Sequence, residues 1–131
     1  GWTIVKTHME VILRMAIEPG LVGTMTINVT PHKTAPHVPV FSTPALVQLF
    51  EQTCSYAIKN SLPTDTTHVG FEVNIRHLGP VPMGGTVEAI VEVTELRGNK
   101  VHFKLEARYQ GKKIGDGTYS CAIVPSRFGG G

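Results

Sequence analysis

The sequence is short of the features that mark several large classes of protein. Its 131 residues hold two cysteines and one tryptophan. Two cysteines allow one disulfide at most. Cys54 falls in an apolar helical pattern, so two buried free thiols and a reducing, cytoplasmic setting are the expectation. No run approaches the roughly 18 to 20 apolar residues of a membrane-spanning helix. The stretch Val11 to Ile17 is short and carries Arg14, which argues against a signal peptide. Lys and Arg number 12 against 10 Asp and Glu, a net charge of +2, and the basic residues are dispersed. A nucleic-acid partner is therefore not expected. His32 and His37 stand in one proline-rich loop, but no Cys, Asp or further His completes a ligand set, so no metal is expected.

Internal repeats and long linkers are missing too, and the length fits one domain. That domain is expected over 10–128. The His8-Met9 pair resembles a cloning junction, so 1–9 are expected to be a tag or disordered, and 129–131 a disordered glycine tail.

What the chain does have begins at Phe41. From there to Lys59, Leu46, Val47, Leu49, Phe50, Cys54, Ala57 and Ile58 recur at three- and four-residue spacing, which predicts the one long helix. Thr43 stands where an N-cap hydroxyl is wanted, with Pro44 at the first helical position. Pro63 follows as a stop signal. Residues 10–17 predict a short helix or strand, and Leu21 to Val29 alternates as a strand with one buried face.

After the helix the pattern has a period of two. Val69, Phe71, Val73, Ile75 and His77 share one parity. The stretches 86–96, 101–109 and 114–124 follow, separated by Arg97-Gly98-Asn99-Lys100 and Gln110-Gly111-Lys112, both hairpin turns. Short turns make neighbours antiparallel. One long helix wrapped by an antiparallel sheet of about five strands is an α+β hotdog arrangement. The open edges of such a sheet predict a homodimer or a dimer of dimers.

Two residues break the apolar pattern. Glu51 sits within the helix, and His77 continues an inward parity on a facing strand. An inward carboxylate and an inward imidazole form a candidate acid–base pair. Thr43 lies at a helix N-terminus, where a developing oxyanion is stabilised. Eight residues separate it from Glu51, roughly 12 Å along the axis, so the two line one elongated ligand or meet across a dimer interface.

The ordered set Phe41-Ser42-Thr43, Glu51, Cys54, Gly70 and His77 resembles the fluoroacetyl-CoA thioesterase-like branch of the hotdog thioesterases. Pro31-His32-Lys33-Thr34 and the late Ile114-Gly115, Gly117-Thr118 pattern extend the likeness from about Gly20 to Val124. The resemblance implies hydrolysis of acyl-CoA to acid and free CoA at a dimer-interface site, with no cofactor. It assigns a catalytic set to Thr43, Glu51 and His77, and a role in holding the thioester carbonyl to Gly70. The best-known member has a longer loop before Phe41, an aromatic lid residue where His37 or Val38 stands, and an Arg where Cys121 stands. The resemblance thus implies a thioesterase for a small or medium acyl group without implying fluoroacetyl selectivity. A non-catalytic acyl-CoA-binding module and a hotdog acyl-thioester dehydratase are the alternatives.

Overall fold

The computed structural model describes residues 2–127. Its elements are α1 (Trp2–Ala16), β1 (Val22–Asn28), α2 (Thr43–Ile58), β2 (Thr66–His77), β3 (Thr86–Arg97), β4 (Lys100–Tyr109) and β5 (Lys112–Pro125), with 3-10 turns at Pro31–Lys33 and Lys59–Ser61. The strands form one sheet in the order β1-β3-β4-β5-β2, and every pairing is antiparallel. Between Tyr109 and Lys112 the chain turns through Gln110 and Gly111, both at positive φ. That is the backbone of a two-residue hairpin whose twist matches its strands.

Helix α2 lies on one face of the sheet. It buries Ala45, Leu46, Leu49, Phe50, Thr53, Cys54 and Ile58. They meet the inward residues of β3 (Val87, Ala89, Val91, Val93), β4 (Val101, Phe103, Leu105) and β5 (Tyr119, Cys121, Ile123) in one core. Burying a side chain the size of Leu49 or Phe50 stabilises the fold by about 1.5 to 3 kcal/mol. The helix crosses β1 closely: a Cβ on Gly23 would stand 2.6 Å from the Cβ of Ala57. Cys54 and Cys121 are free and buried, as the composition suggested.

Three expectations need correction. The N-cap of α2 is Ser42, not Thr43: its extended backbone precedes the helix, and its Oγ accepts from the Ala45 backbone N–H at 3.2 Å. Thr43 becomes the first helical residue, and its hydroxyl is released from capping. Secondly, the disorder allowed for over 1–9 gives way, among the described residues, to a helix from Trp2 that runs on through the helical alternative for 10–17 to Ala16, buries Leu13 and is followed by buried Ile17. The expected tail at 129–131 lies outside the described residues.

The third concerns parity on β2. The register with β5 slips between Gly70 and Glu72, leaving Phe71 as an extra, unpaired residue. A bulge of this kind reverses which face each side chain takes. Beyond it, Val73, Ile75 and His77 oppose Tyr119, Gly117 and Gly115 on the inward side. Before it, His68 and Gly70 oppose inward Ile123 and Cys121, while Val69 turns outward opposite Ala122. Val69 and Phe71 therefore leave the core series to which their spacing assigned them, and both are exposed.

Candidate active site

Thr43, Val47, Glu51 and Ser55 follow one another at four-residue intervals, so they form a ridge along α2. The ridge faces β2. At its N-terminal end the Thr43 hydroxyl is 2.8 Å from His77 Nδ1. Near its other end Ser55 Oγ is 2.9 Å from His68 Nε2. Between them Glu51 lines a recess of ≈ 280 Å³ with Gly70, Phe71, Glu72, Val73 and Tyr119.

His77 is held from two sides. Thr43 fixes one ring nitrogen, and the edge of the buried Phe41 ring meets the imidazole, with centroids 6.1 Å apart and planes at 76°. Its Nε2 is buried and has no hydrogen-bond partner among the described residues. Burial pushes its pKa below the usual imidazole value, against a smaller opposing effect of the Gly79 backbone. The ring is therefore neutral near pH 7. With Nδ1 engaged by Thr43, Nε2 is the nitrogen available to exchange a proton. A cleft of ≈ 360 Å³ opens beside it, lined by Val40, Phe41, Thr43, His77 and Gly79 among others.

Glu51 is exposed in the chain rather than turned into the core. Its neighbour Phe50 and the residue three positions on, Cys54, take the buried face, which leaves the carboxylate at the helix flank beside β2. Its negative charge is felt by the Tyr119 phenol and the Cys54 thiol, both raised mainly by burial. Cys121, on the strand behind, is pushed up to about 12 by burial alone. Neither thiol is a nucleophile at neutral pH. Gly70 faces Tyr119 so closely that a Cβ there would stand 2.6 Å from the phenolic oxygen.

The structure thus brings Thr43 to His77, and Glu51 to Gly70, as two clusters along one helix–strand seam. It does not join the clusters within the chain.

The model of the fluoroacetyl-CoA-specific thioesterase family matches residues 22–127. The chain belongs to this family. Among proteins similar to this thioesterase-family chain is the fluoroacetyl-CoA thioesterase of Streptantibioticus cattleyicolor, 27% identical over 107 residues, covering 73% of this chain and 77% of that protein. A variant of the fluoroacetyl-CoA-specific thioesterase FlK, solved in complex with fluoroacetate and CoA, superposes with a TM-score of 0.79 at 26% identity, over 86% of this chain and 98% of its own. A thioesterase superfamily member from Thermus thermophilus gives 0.84 at 26% identity, over 87% and 88% of the two chains. A hot-dog-like protein from Thermanaerovibrio acidaminovorans gives 0.84 at 20% identity over 88% and 90%, a likeness of fold.

Two polar contributors along the seam were missed from sequence. Tyr119 has the parity of Cys121 and Ile123, so an inward phenol was readable from the last strand. His68 was hidden by the bulge. The signal that could have exposed it is Gly70 itself, since a glycine inside a strand often marks a bulge or a close approach. Of the loop histidines, His32 and His37 are both exposed.

Proposed function

We propose that this protein is an acyl-CoA thioesterase that works as a homodimer, with its reaction centre built from Thr43, Glu51, His77 and Gly70. Hydrolysis adds one water across the thioester C–S bond. The water oxygen bonds to the carbonyl carbon, the C–S bond breaks, and one water proton ends on the CoA sulfur. Glu51, on the open flank of α2, activates the water or attacks the carbonyl first. His77 Nε2 carries the proton, and the Thr43 hydroxyl fixes the ring that does so. The Gly70 backbone, bare of a side chain, lets the thioester carbonyl come close.

The observation that carries this reading is the Thr43–His77 hydrogen bond, which leaves a buried Nε2 with no partner among the described residues. It stands on the same helix ridge as Glu51, in a chain of a thioesterase family. A buried unpaired nitrogen costs about 1 to 3 kcal/mol, which a substrate or partner group would offset.

Dimerisation is supported by β2. One of its edges has no partner strand among the described residues, and Val69, Phe71 and Val73 on it are exposed. A second copy paired across a two-fold axis would cover them. Two free thiols and no helix long and apolar enough to cross a membrane among the described residues favour a cytoplasmic setting.

The test is thiol release over a panel of small and medium acyl-CoAs, repeated with Thr43→Ala, Glu51→Ala and His77→Ala. Loss of about 10²-fold or more in each is expected. Full activity in all three would remove the site assignment. Binding of acyl-CoA without any thiol release would favour a non-catalytic module.

A further inference from the structure

Tyr119 has a place in the recess that packing alone does not explain. It sits on β5, opposite Val73 of β2 on one side and Phe103 of β4 on the other. Its ring is buried, tilted by 40° against Phe103 with centroids 6.0 Å apart. That contact fixes the ring and needs no hydroxyl. The residue keeps only 4% of its surface exposed and lines the recess that Glu51 and Gly70 share. Its phenolic oxygen lies against the one position on β2 without a side chain, 2.6 Å from where a Gly70 Cβ would stand. The hydroxyl makes no hydrogen bond with any described residue, and its oxygen is not among the fully buried polar atoms, so it is open to a ligand in the recess.

We propose that the Tyr119 hydroxyl is a catalytic hydrogen-bond donor to the thioester carbonyl oxygen, acting beside Gly70 in the Glu51 recess. The proposal rests on the thioesterase reading given above. As oxygen from water or from Glu51 bonds to the carbonyl carbon, the C=O π pair moves onto the carbonyl oxygen. That oxygen gains negative charge, and the phenol donates to it without giving up its proton. When the pair returns, the C–S bond breaks and the sulfur leaves with its electrons. Tyr119 ends the cycle as it began.

Three features favour this role over an orienting bond to Glu51. The phenol and the carboxylate share the recess but are not hydrogen-bonded to each other. The proton of Tyr119 is held firmly, because burial and the nearby Glu51 charge both raise its pKa. It therefore stays a donor at every pH at which the enzyme would work. The hydroxyl also lies at Gly70, so a carbonyl that approaches the bare backbone meets the phenol there.

The experiment uses the full chain and the acyl-CoA hydrolysed fastest in the panel, with Tyr119→Phe as the variant. It removes one oxygen and keeps the ring on Phe103. Loss of one oxyanion donor lowers kcat by about 10² to 10³-fold, so a fall of that order is expected with KM changed by less than about threefold. A merely structural hydroxyl would leave kcat within about twofold, and that result overturns the proposal. A second readout is the infrared carbonyl stretch of the same acyl-CoA bound to Glu51→Gln, which retains ligand while chemistry is slow. The stretch is expected to lie lower than in free acyl-CoA, and to move back up when Tyr119→Phe is added. An unchanged stretch overturns the proposal even if kcat falls. Wild-type hydrolysis abolished by Glu51→Ala but indifferent to Tyr119→Phe leaves the thioesterase reading standing and removes only Tyr119. A wild-type protein inert to the whole panel removes both.

Discussion

Mixing two dead variants should restore activity, and the amount restored is fixed by where the two clusters lie. Thr43 and Glu51 are separated by about 12 Å along α2, and their partners His77 and Gly70 by about 20 Å along β2. A thioester group is only a few ångströms across, so it cannot touch both clusters of one chain. If a two-fold axis places the Thr43–His77 pair of one protomer against the Glu51–Gly70 recess of its partner, each dimer holds two composite sites. Now let one chain carry Thr43→Ala and the other Glu51→Ala. In the heterodimer one site takes both lesions and the other takes none. The purified heterodimer should therefore turn over at about half the wild-type rate per dimer, and an equilibrated equal mixture at about a quarter. Each homodimer should remain at least about 10²-fold down. Two affinity tags on co-expressed chains isolate the heterodimer, and thiol release reads its rate. The reciprocal pairing is the control: a chain with both substitutions joined to a wild-type chain should be nearly inactive, because each site then contains one lesion. The reasoning is refuted if the first heterodimer stays at background while the second keeps half the activity. That outcome would place a whole site inside each chain.

Other outcomes follow from single contacts. Gly70→Ala puts a Cβ 2.6 Å from the Tyr119 oxygen. The ring is packed on Phe103 and yields little, so steady-state kinetics should show a loss of about 10-fold or more, the scale of a misplacement of this size. Ser42→Ala removes the hydrogen bond from Ala45 N–H and should cost about 1 kcal/mol in urea unfolding. Thr43→Ala should leave stability nearly unchanged while abolishing activity, the reverse of what a threonine cap would give. His68 and His77 both have pKa values lowered by burial. The unfolded chain then binds more protons than the folded one below the usual imidazole range, so stability is full above about pH 6.5 and falls as the solution is acidified through it. Urea midpoints at pH 7.5 and 5.5 should show that fall, and His68→Gln should shrink it.

Much of this architecture was legible because it is written in periods. The three- and four-residue spacing from Leu46 to Ile58 fixed α2, and alternation on β3 and β4 gave their buried faces. His77 was read correctly as inward because it lies after the bulge, where odd positions do face the helix. The same alternation failed before it. One unpaired residue cannot be seen in a pattern of apolar residues when Val69 and Phe71 suit either side. Thr43 was singled out for the wrong reason. Ser and Thr both cap helices, and only the backbone angle at Ser42 decides between them. Once Ser42 holds the cap, the Thr43 hydroxyl turns to His77. Glu51 was placed on the correct helix but one side off, since a carboxylate at the edge of a buried stripe follows the exposed flank.

The bulge on β2 has one more consequence. In an unbulged strand of the same length, Gly70 and His77 stand an odd number of positions apart and would point to opposite faces. Deleting Phe71 would repair the ladder with β5 and keep the pairs Gly70–Cys121 and His68–Ile123, so both residues would still face α2. Such a chain should fold at least as well, by thermal melting, and keep measurable turnover. Phe71→Gly, which preserves the count, should keep measurable turnover. The odd spacing of Gly70 and His77 puts both on the inward side because the bulge takes up one residue, and the strand can lose that residue but not gain another without turning one of them away.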